Sequence, residues 1–101
     1  MSVMMGMVIE VDPARFEQVS KDNKELLDSI VEQSKQAGAI HHQFFAGKDS
    51  VLVVDEWPDE ASFMGFFEST AAEIGALMSQ AGATSQPTPN FWREMDTSDK
   101  F

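Results

Sequence analysis

The stretch from Val51 to Phe63 constrains the fold more than any other part of this sequence. It opens with four consecutive apolar residues, three of them β-branched, which is typical of a strand buried on both faces. Pro58 cannot donate to a sheet ladder, so the strand should end at Trp57. Asp59 and Glu60 then place negative charge in the first turn of a helix, where the helix dipole favours it. Trp57 is therefore predicted to lie at a strand-to-helix junction.

The rest of the chain alternates between strand and helix patterns in a recognisable order. Asp12 and Pro13 predict a helix N-terminus, Gly38 and Gly82 predict helix C-termini, and Thr70 begins a second segment through a capping box. The predicted elements are a strand over 3–11, a helix over 14–36, strands over 39–46 and 51–57, a helix from 59 to 82 in two segments, and a short strand over 91–95. The order β-α-β-β-α-β predicts one α+β domain over 1–101, a ferredoxin-like antiparallel sheet with its helices on one face.

The first strand is apolar on both sides, and this predicts a partner. Met5, Met7 and Ile9 point to one face of the sheet, while Met4 and Val8 point to the other. Helices on one face can cover only one of these sets. In a chain of 101 residues, a second copy of the same chain is the expected cover for the other set. We therefore expect an obligate homodimer that packs sheet against sheet.

The charge balance excludes several classes of partner. Seven basic residues stand against 17 acidic ones, a net charge of −10, whereas nucleic acids and anionic membranes require clustered Lys and Arg. No apolar run approaches the roughly 20 residues of a membrane span, and the first residues lack the basic region of a signal peptide. There is no cysteine, hence no disulfide and no thiolate metal site. We expect a cytoplasmic protein that binds neither nucleic acid nor membrane.

The segment Trp-Pro-Asp-Glu-Ala-Ser-Phe over 57–63, preceded by Glu56, resembles the signature of the antibiotic-biosynthesis monooxygenase domain. That resemblance implies a dimeric α/β barrel and a cofactor-independent monooxygenase acting on a small aromatic substrate of phenolic or quinol type. Trp57 matches the tryptophan that lines the pocket in this family. The alternative is a non-catalytic dimeric module that binds a small hydrophobic ligand.

The haem-degrading members of that superfamily resemble one another in two further residues, an asparagine on the first strand and a histidine on the second helix. Met7 occupies the strand position here, and residues 59–69 contain no histidine. The tyrosine common in quinone-type oxygenases is also absent, because the chain contains none. We therefore expect no haem and no other cofactor.

The two histidines are adjacent on a predicted strand, so their side chains point to opposite faces and cannot bind one metal ion together. His42 lies on the more apolar side and is the candidate for a pocket, whereas His41 suits packing or an interface. Asp55 shares the face of Trp57 and could act as a base if buried. The interpretation that we favour from the sequence alone is a solvated carboxylate at an exposed strand end.

Aromatic residues of the second helix complete the predicted site. Phe63 and Phe67 fit an ordinary helical core, and they would also suit a flat hydrophobic ligand. We expect no metal site. The predicted substrate-binding residues are Trp57, His42, Asp55, Phe63 and Phe67.

Overall fold

The computed structural model describes all 101 residues and contains one four-stranded sheet with four helices. The elements are β1 (Val3–Ile9), α1 (Pro13–Asp22), α2 (Lys24–Gln36), β2 (His41–Ala46), β3 (Val51–Trp57), α3 (Glu60–Ser69), α4 (Ala71–Gln80) and β4 (Asn90–Trp92). The strand order is β2-β3-β1-β4, and every neighbouring pair is antiparallel. The predicted α+β ferredoxin-like fold is confirmed.

Strand β3 lies inside the sheet, and it ends at Trp57 as Pro58 requires. It pairs with β1 along its whole length, from Val51 opposite Ile9 to Trp57 opposite Val3. It pairs with β2 on its other side. The strand predicted from Val51 to Trp57 is therefore the one that sets the register of both β1 and β2.

The helix predicted over 14–36 is two helices, and that prediction was wrong at its centre. Asn23 leaves the helical conformation, with φ −117° and ψ 38°. Its side-chain amide donates to Val19 O at 2.9 Å and to Gln80 Oε1 on α4 at 3.1 Å. Asparagine competes well for backbone groups in non-helical conformations. A side chain 57 residues away along the chain thus helps to hold the break between α1 and α2.

The break predicted at Thr70 is confirmed, but the capping box is not. The Thr70 hydroxyl donates back to Phe66 O at 2.8 Å and accepts no bond from the α4 backbone. The predicted strands were also slightly long, since β1 ends at Ile9, β2 begins at His41 and β4 ends at Trp92.

The predicted helix ends are well formed. Asp59 accepts from the backbone N–H of Ser62 at 2.7 Å, and this hydrogen bond lowers the pKa of the exposed Asp59 carboxyl. Asp12 accepts from Ala14 N in the same way at the start of α1. Gly38 and Gly82 take positive φ values of 112° and 85° after α2 and α4, as residues that follow a helix often must.

The two faces of the sheet have opposite environments. One face carries the core against the helices, with Met5, Ile9 and Val53 at most 5% exposed. The other face, called the open face below, has no helix over it and exposes large apolar side chains. These side chains, with their exposed fractions, are Val8 (55%), Leu52 (38%), Phe45 (46%) and Trp92 (58%). No helix of the chain is long and apolar enough to cross a bilayer.

Candidate functional site

A small cavity lies between the sheet and the helices. Its volume is about 90 Å³, and its walls come from β1, β2, β3 and all four helices. Most of the lining is apolar, including three methionines and five phenylalanines. These are Met5, Met7, Met78, Phe16, Phe44, Phe63, Phe66 and Phe67. The cavity is thus a small, largely apolar hollow between the sheet and the helices.

One wall of this cavity is polar, and the sheet register creates it. Residues on β3 alternate between faces, so Asp55 and Trp57 both point toward the helices. Strand β2 places His42 directly opposite Asp55. The His42 Nδ1 lies 2.7 Å from Asp55 Oδ1, and Trp57 Nε1 donates to Asp55 Oδ2 at 3.1 Å. A continuous hydrogen-bonded chain therefore runs from His42 through Asp55 to Trp57.

The contact with Asp55 sets which ring nitrogen of His42 carries a hydrogen. An ionised carboxylate can only accept hydrogen bonds, so a hydrogen lies on His42 Nδ1. In the neutral ring the other nitrogen, Nε2, is then an acceptor. The Asp55 side chain is 7% exposed and the His42 side chain 33%, so the carboxylate is enclosed while the imidazole can meet a ligand. This arrangement can receive a proton from a molecule in the cavity.

The remaining polar groups of the cavity wall are already occupied. The Ser20 hydroxyl donates to Phe16 O at 2.9 Å, and the Ser34 hydroxyl donates to Val31 O at 2.6 Å. No group of three or more His, Asp or Glu side chains converges as a metal site would require. His42 and Asp55 are thus the titratable side chains that line the cavity.

The structure brings four of the five predicted site residues to the cavity wall: His42, Asp55, Phe63 and Phe67. Trp57 does not line the cavity. It is fully buried behind the wall, where its indole packs edge-on against Phe63 with ring centroids 5.5 Å apart. The favoured interpretation of Asp55 as a solvated carboxylate was wrong, because the residue is only 5% exposed.

Sequence reasoning missed the contribution of α1 and α4 to the cavity wall. Phe16 on α1 and Met78 on α4 line the cavity, and Phe16 packs edge-on against Phe44 at 5.0 Å. The apolar stripe of α1 was visible in the sequence, but a stripe alone does not distinguish cavity lining from ordinary core. His41 lies on the open face opposite Glu56, away from the cavity, as the alternation of the strand predicts.

The size of the cavity limits what it can hold in this conformation. A water molecule takes up about 30 Å³ of liquid volume, so 90 Å³ corresponds to a few waters. Ligand pockets typically reach about 300–1,000 Å³. An aromatic ring would therefore have to displace lining side chains. Unbranched methionines such as Met5, Met7 and Met78 adapt to such changes more readily than branched residues do.

Comparison with known proteins places the fold but identifies no close relative. No protein-family model matches the sequence, and no curated protein matches it either. Solved structures do match. A monooxygenase from ActVA-Orf6 of Streptomyces coelicolor, in complex with nanaomycin D, superimposes with a TM-score of 0.70 and 20% identity, over 95% of this chain and 89% of that one.

Two other solved structures have the same fold. SnoaB, a cofactor-independent oxygenase from Streptomyces nogalater, matches with a TM-score of 0.65 and 16% identity over 98% of both chains. A dimeric ferredoxin-like protein from an uncultured marine organism matches with a TM-score of 0.67 and 13% identity, over 96% of this chain and 93% of that one. At these identities the likeness is one of fold. The ferredoxin-like fold of the single chain, expected from the resemblance to antibiotic-biosynthesis monooxygenases, is confirmed, and the dimeric barrel stays a prediction.

Proposed function

We propose that this protein is a cofactor-independent monooxygenase that acts on a small aromatic substrate of phenolic or quinol type. The observation that supports this most is the hydrogen-bonded chain His42–Asp55–Trp57 at the wall of an apolar cavity. A substrate that reacts with dioxygen without a cofactor must first be ionised. The protein then has to supply a base and a dry environment, which are the two properties that this cavity combines.

The proposed reaction begins with proton transfer to His42. Nε2 takes a proton from the substrate, and Asp55 holds the ring and stabilises the positive charge that the ring gains. The substrate anion, now electron-rich, reduces dioxygen directly. For an anthrone-type methylene, the carbon passes from CH₂ to C=O, one oxygen atom enters the product and the other leaves as water. The substrate supplies all four electrons, so no external reductant is needed.

The fold neighbours support the same class of reaction. The ActVA-Orf6 protein is described as a monooxygenase and SnoaB as a cofactor-independent oxygenase. Fold alone does not determine function, and it is the residues of the cavity that support this reaction. A base on β2 that is oriented by a carboxylate on β3 is what this chain offers for that chemistry.

The test is oxygen uptake with a panel of anthrones and hydroquinones, comparing the protein with buffer alone. We expect at least one compound to raise uptake above its spontaneous oxidation rate. With ¹⁸O₂, one labelled atom should appear in the product and the other in water. If no compound raises uptake while several bind, the protein is the alternative, a non-catalytic module for small hydrophobic ligands.

We propose further that two copies associate through their open faces to form a dimeric α/β barrel. The support is the exposed apolar set of Val8, Leu52, Phe45 and Trp92, which the helices of the same chain do not cover. Contiguous exposed apolar surface of this kind commonly marks an interaction site. One fold neighbour is itself described as dimeric. Obligate interfaces of this type bury on the order of 2,000 Å² or more.

Val8→Asp is expected to convert the dimer into monomers, because a charge beside Leu52 on the open face would be desolvated without a partner. Sedimentation equilibrium at micromolar concentration measures the change. Gly65→Asp is the matched control, since it adds the same charge on the exposed surface of α3. A folded wild-type monomer at that concentration would contradict the proposed assembly.

A further inference from the structure

A second hollow lies next to the cavity, on the outer side of α4. It has a volume of about 260 Å³ and lies between α4 and residues 83–87. The backbone N–H of Ala83 donates to Met78 O at 3.0 Å, which ties the start of this segment to the end of α4. We call this hollow the outer cleft.

The cavity and the outer cleft share one wall. Phe67, Ile74 and Met78 line both of them, so a single layer of three side chains separates the two spaces. Each of the three is half-buried. None has a side-chain polar atom that could hold it in place with a hydrogen bond. A change of rotamer at Met78 and Phe67 would therefore break no side-chain hydrogen bond.

The two hollows differ in chemistry. The cavity is apolar apart from His42, Asp55 and the two hydroxyl groups of Ser20 and Ser34, which are already hydrogen-bonded to backbone carbonyls. The outer cleft adds four polar, uncharged side chains, namely Ser79, Thr84, Ser85 and Gln86. No charged residue lines it, and the chain carries a net charge of −10, which disfavours anions. Hydroxyl and carbonyl groups are the substituents that such a surface can bind.

We propose that Phe67, Ile74 and Met78 form a gate, and that the outer cleft binds the polar, uncharged arm of a ligand whose flat aromatic part occupies the cavity. This inference rests on the proposed function in one respect, namely that the cavity is where the ligand reacts. The gate also explains how a cavity of about 90 Å³ could take an aromatic ligand. Joined to the outer cleft of about 260 Å³, it exceeds the roughly 300 Å³ at which ligand pockets begin.

The proposed opening uses the break between α3 and α4. Thr70 interrupts the helix with φ −108° and ψ 9°, so α3 and α4 are separate helices, and the proposed shift of α4 requires no bend in α3. Phe67 stacks on Phe63 with ring centroids 5.3 Å apart and an interplanar angle of 20°. A flat ligand ring can replace that stacking when Phe67 swings outward.

Gly75 provides a selective way to block the outer cleft. It lies in the middle of α4 and lines the cleft, and a Cβ added there would meet no atom within 4 Å. Gly75→Leu therefore adds an apolar side chain at the wall of the outer cleft with no clash at its Cβ, and leucine favours helix more than glycine does. Gly65→Leu is the matched control, because Gly65 lies in the middle of α3, has equal free space and lines neither hollow.

The experiment measures dissociation constants by isothermal titration calorimetry with two neutral probes. One is phenol, which needs the cavity alone, and the other is 1,8-dihydroxy-3-(hydroxymethyl)anthraquinone, which needs both hollows. We expect Gly75→Leu to weaken binding of the anthraquinone by about tenfold or more, and to leave phenol binding within about twofold, as expected from filling one compartment only. Gly65→Leu should change neither constant.

The gate is contradicted if the wild type does not bind the anthraquinone, or if Gly75→Leu and Gly65→Leu affect it equally. Because the anthraquinone is already oxidised, its binding does not depend on turnover. Selective loss of anthraquinone binding in Gly75→Leu supports the gate even if no compound raises oxygen uptake, in which case only the proposed reaction fails. If hydroquinones raise oxygen uptake but the anthraquinone does not bind, the proposed reaction is supported and the gate is contradicted.

Discussion

His42→Ala is expected to slow oxygen uptake by about 10² to 10⁴-fold, the range that general acid–base groups contribute to catalysis. The reason is that His42 supplies the acceptor nitrogen at the cavity wall, and the Asp55 carboxylate behind it is enclosed. His41→Ala is the matched control. It removes the neighbouring imidazole of the same strand, which lies on the open face, so turnover should stay close to that of the wild type.

Asp55→Asn is expected to reduce uptake by a similar factor through a different route. Trp57 Nε1 can only donate, so the asparagine carbonyl must face Trp57 and its NH₂ group must face His42. His42 Nδ1 then has to accept, which moves the ring hydrogen to Nε2, the tautomer that cannot take a proton there. Glu56→Gln is the control, since it makes the same chemical change on the opposite face of β3.

Nitrogen-15 NMR of the His42 ring gives a readout that does not depend on activity. Near neutral pH, the hydrogen should be on Nδ1 in the wild type and on Nε2 in Asp55→Asn. Full turnover in Asp55→Asn, or full turnover in His42→Ala, would show that this pair is not the base.

Trp57→Ala is expected to cost about 3–5 kcal/mol of stability, the usual penalty for removing a large buried aromatic side chain. Domains of this size are stable by roughly 5–15 kcal/mol, so the variant should be close to unfolding. Trp57 is fully buried and packs against both Phe63 and Phe66, at ring-centroid distances of 5.5 and 5.4 Å. Urea unfolding at one fixed protein concentration measures the change.

Trp57→Phe separates packing from hydrogen bonding. It retains much of the aromatic volume but removes the N–H that donates to Asp55 Oδ2, so a buried carboxylate oxygen loses its partner. Leaving such a group unsatisfied costs about 1–3 kcal/mol or more. We expect the free energy of unfolding of Trp57→Phe to lie between that of the wild type and that of Trp57→Ala. Equal stability of Trp57→Phe and the wild type would show that this hydrogen bond contributes little.

Local signals in the sequence were sufficient for most of the fold. Pro58 ends β3 because it has no N–H to donate to the ladder, and Gly38 and Gly82 adopt the positive φ that few other residues tolerate. The break at Asn23 was not predictable in the same way. The apolar pattern continues through it, and one of its two hydrogen bonds goes to Gln80, a partner that only the tertiary structure brings close.

In the candidate site, too, local patterns were predictable from the sequence and tertiary contacts were not. Alternation along β2 correctly separated His41 from His42, because that depends only on the period of a strand. The contact between His42 and Asp55 depends on the register of two strands, which their separate patterns do not specify. Burial statistics for a lone carboxylate therefore favoured an exposed Asp55, and Trp57 was expected at the cavity wall instead of behind it.

The two tryptophans of the chain lie on opposite faces of the sheet. The chain contains no tyrosine, so its near-ultraviolet fluorescence comes from these two residues. Trp57 is inaccessible to solvent, whereas Trp92 is 58% exposed and lies so close over Gly6 that a methyl group there would stand 2.8 Å from the indole ring. A neutral quencher such as acrylamide should thus quench the fluorescence of Trp92 and leave that of Trp57 unchanged. The protein therefore contains an optical reporter for each event: shielding of Trp92 would follow assembly, and a change in Trp57 emission would follow occupation of the cavity next to its Asp55 partner.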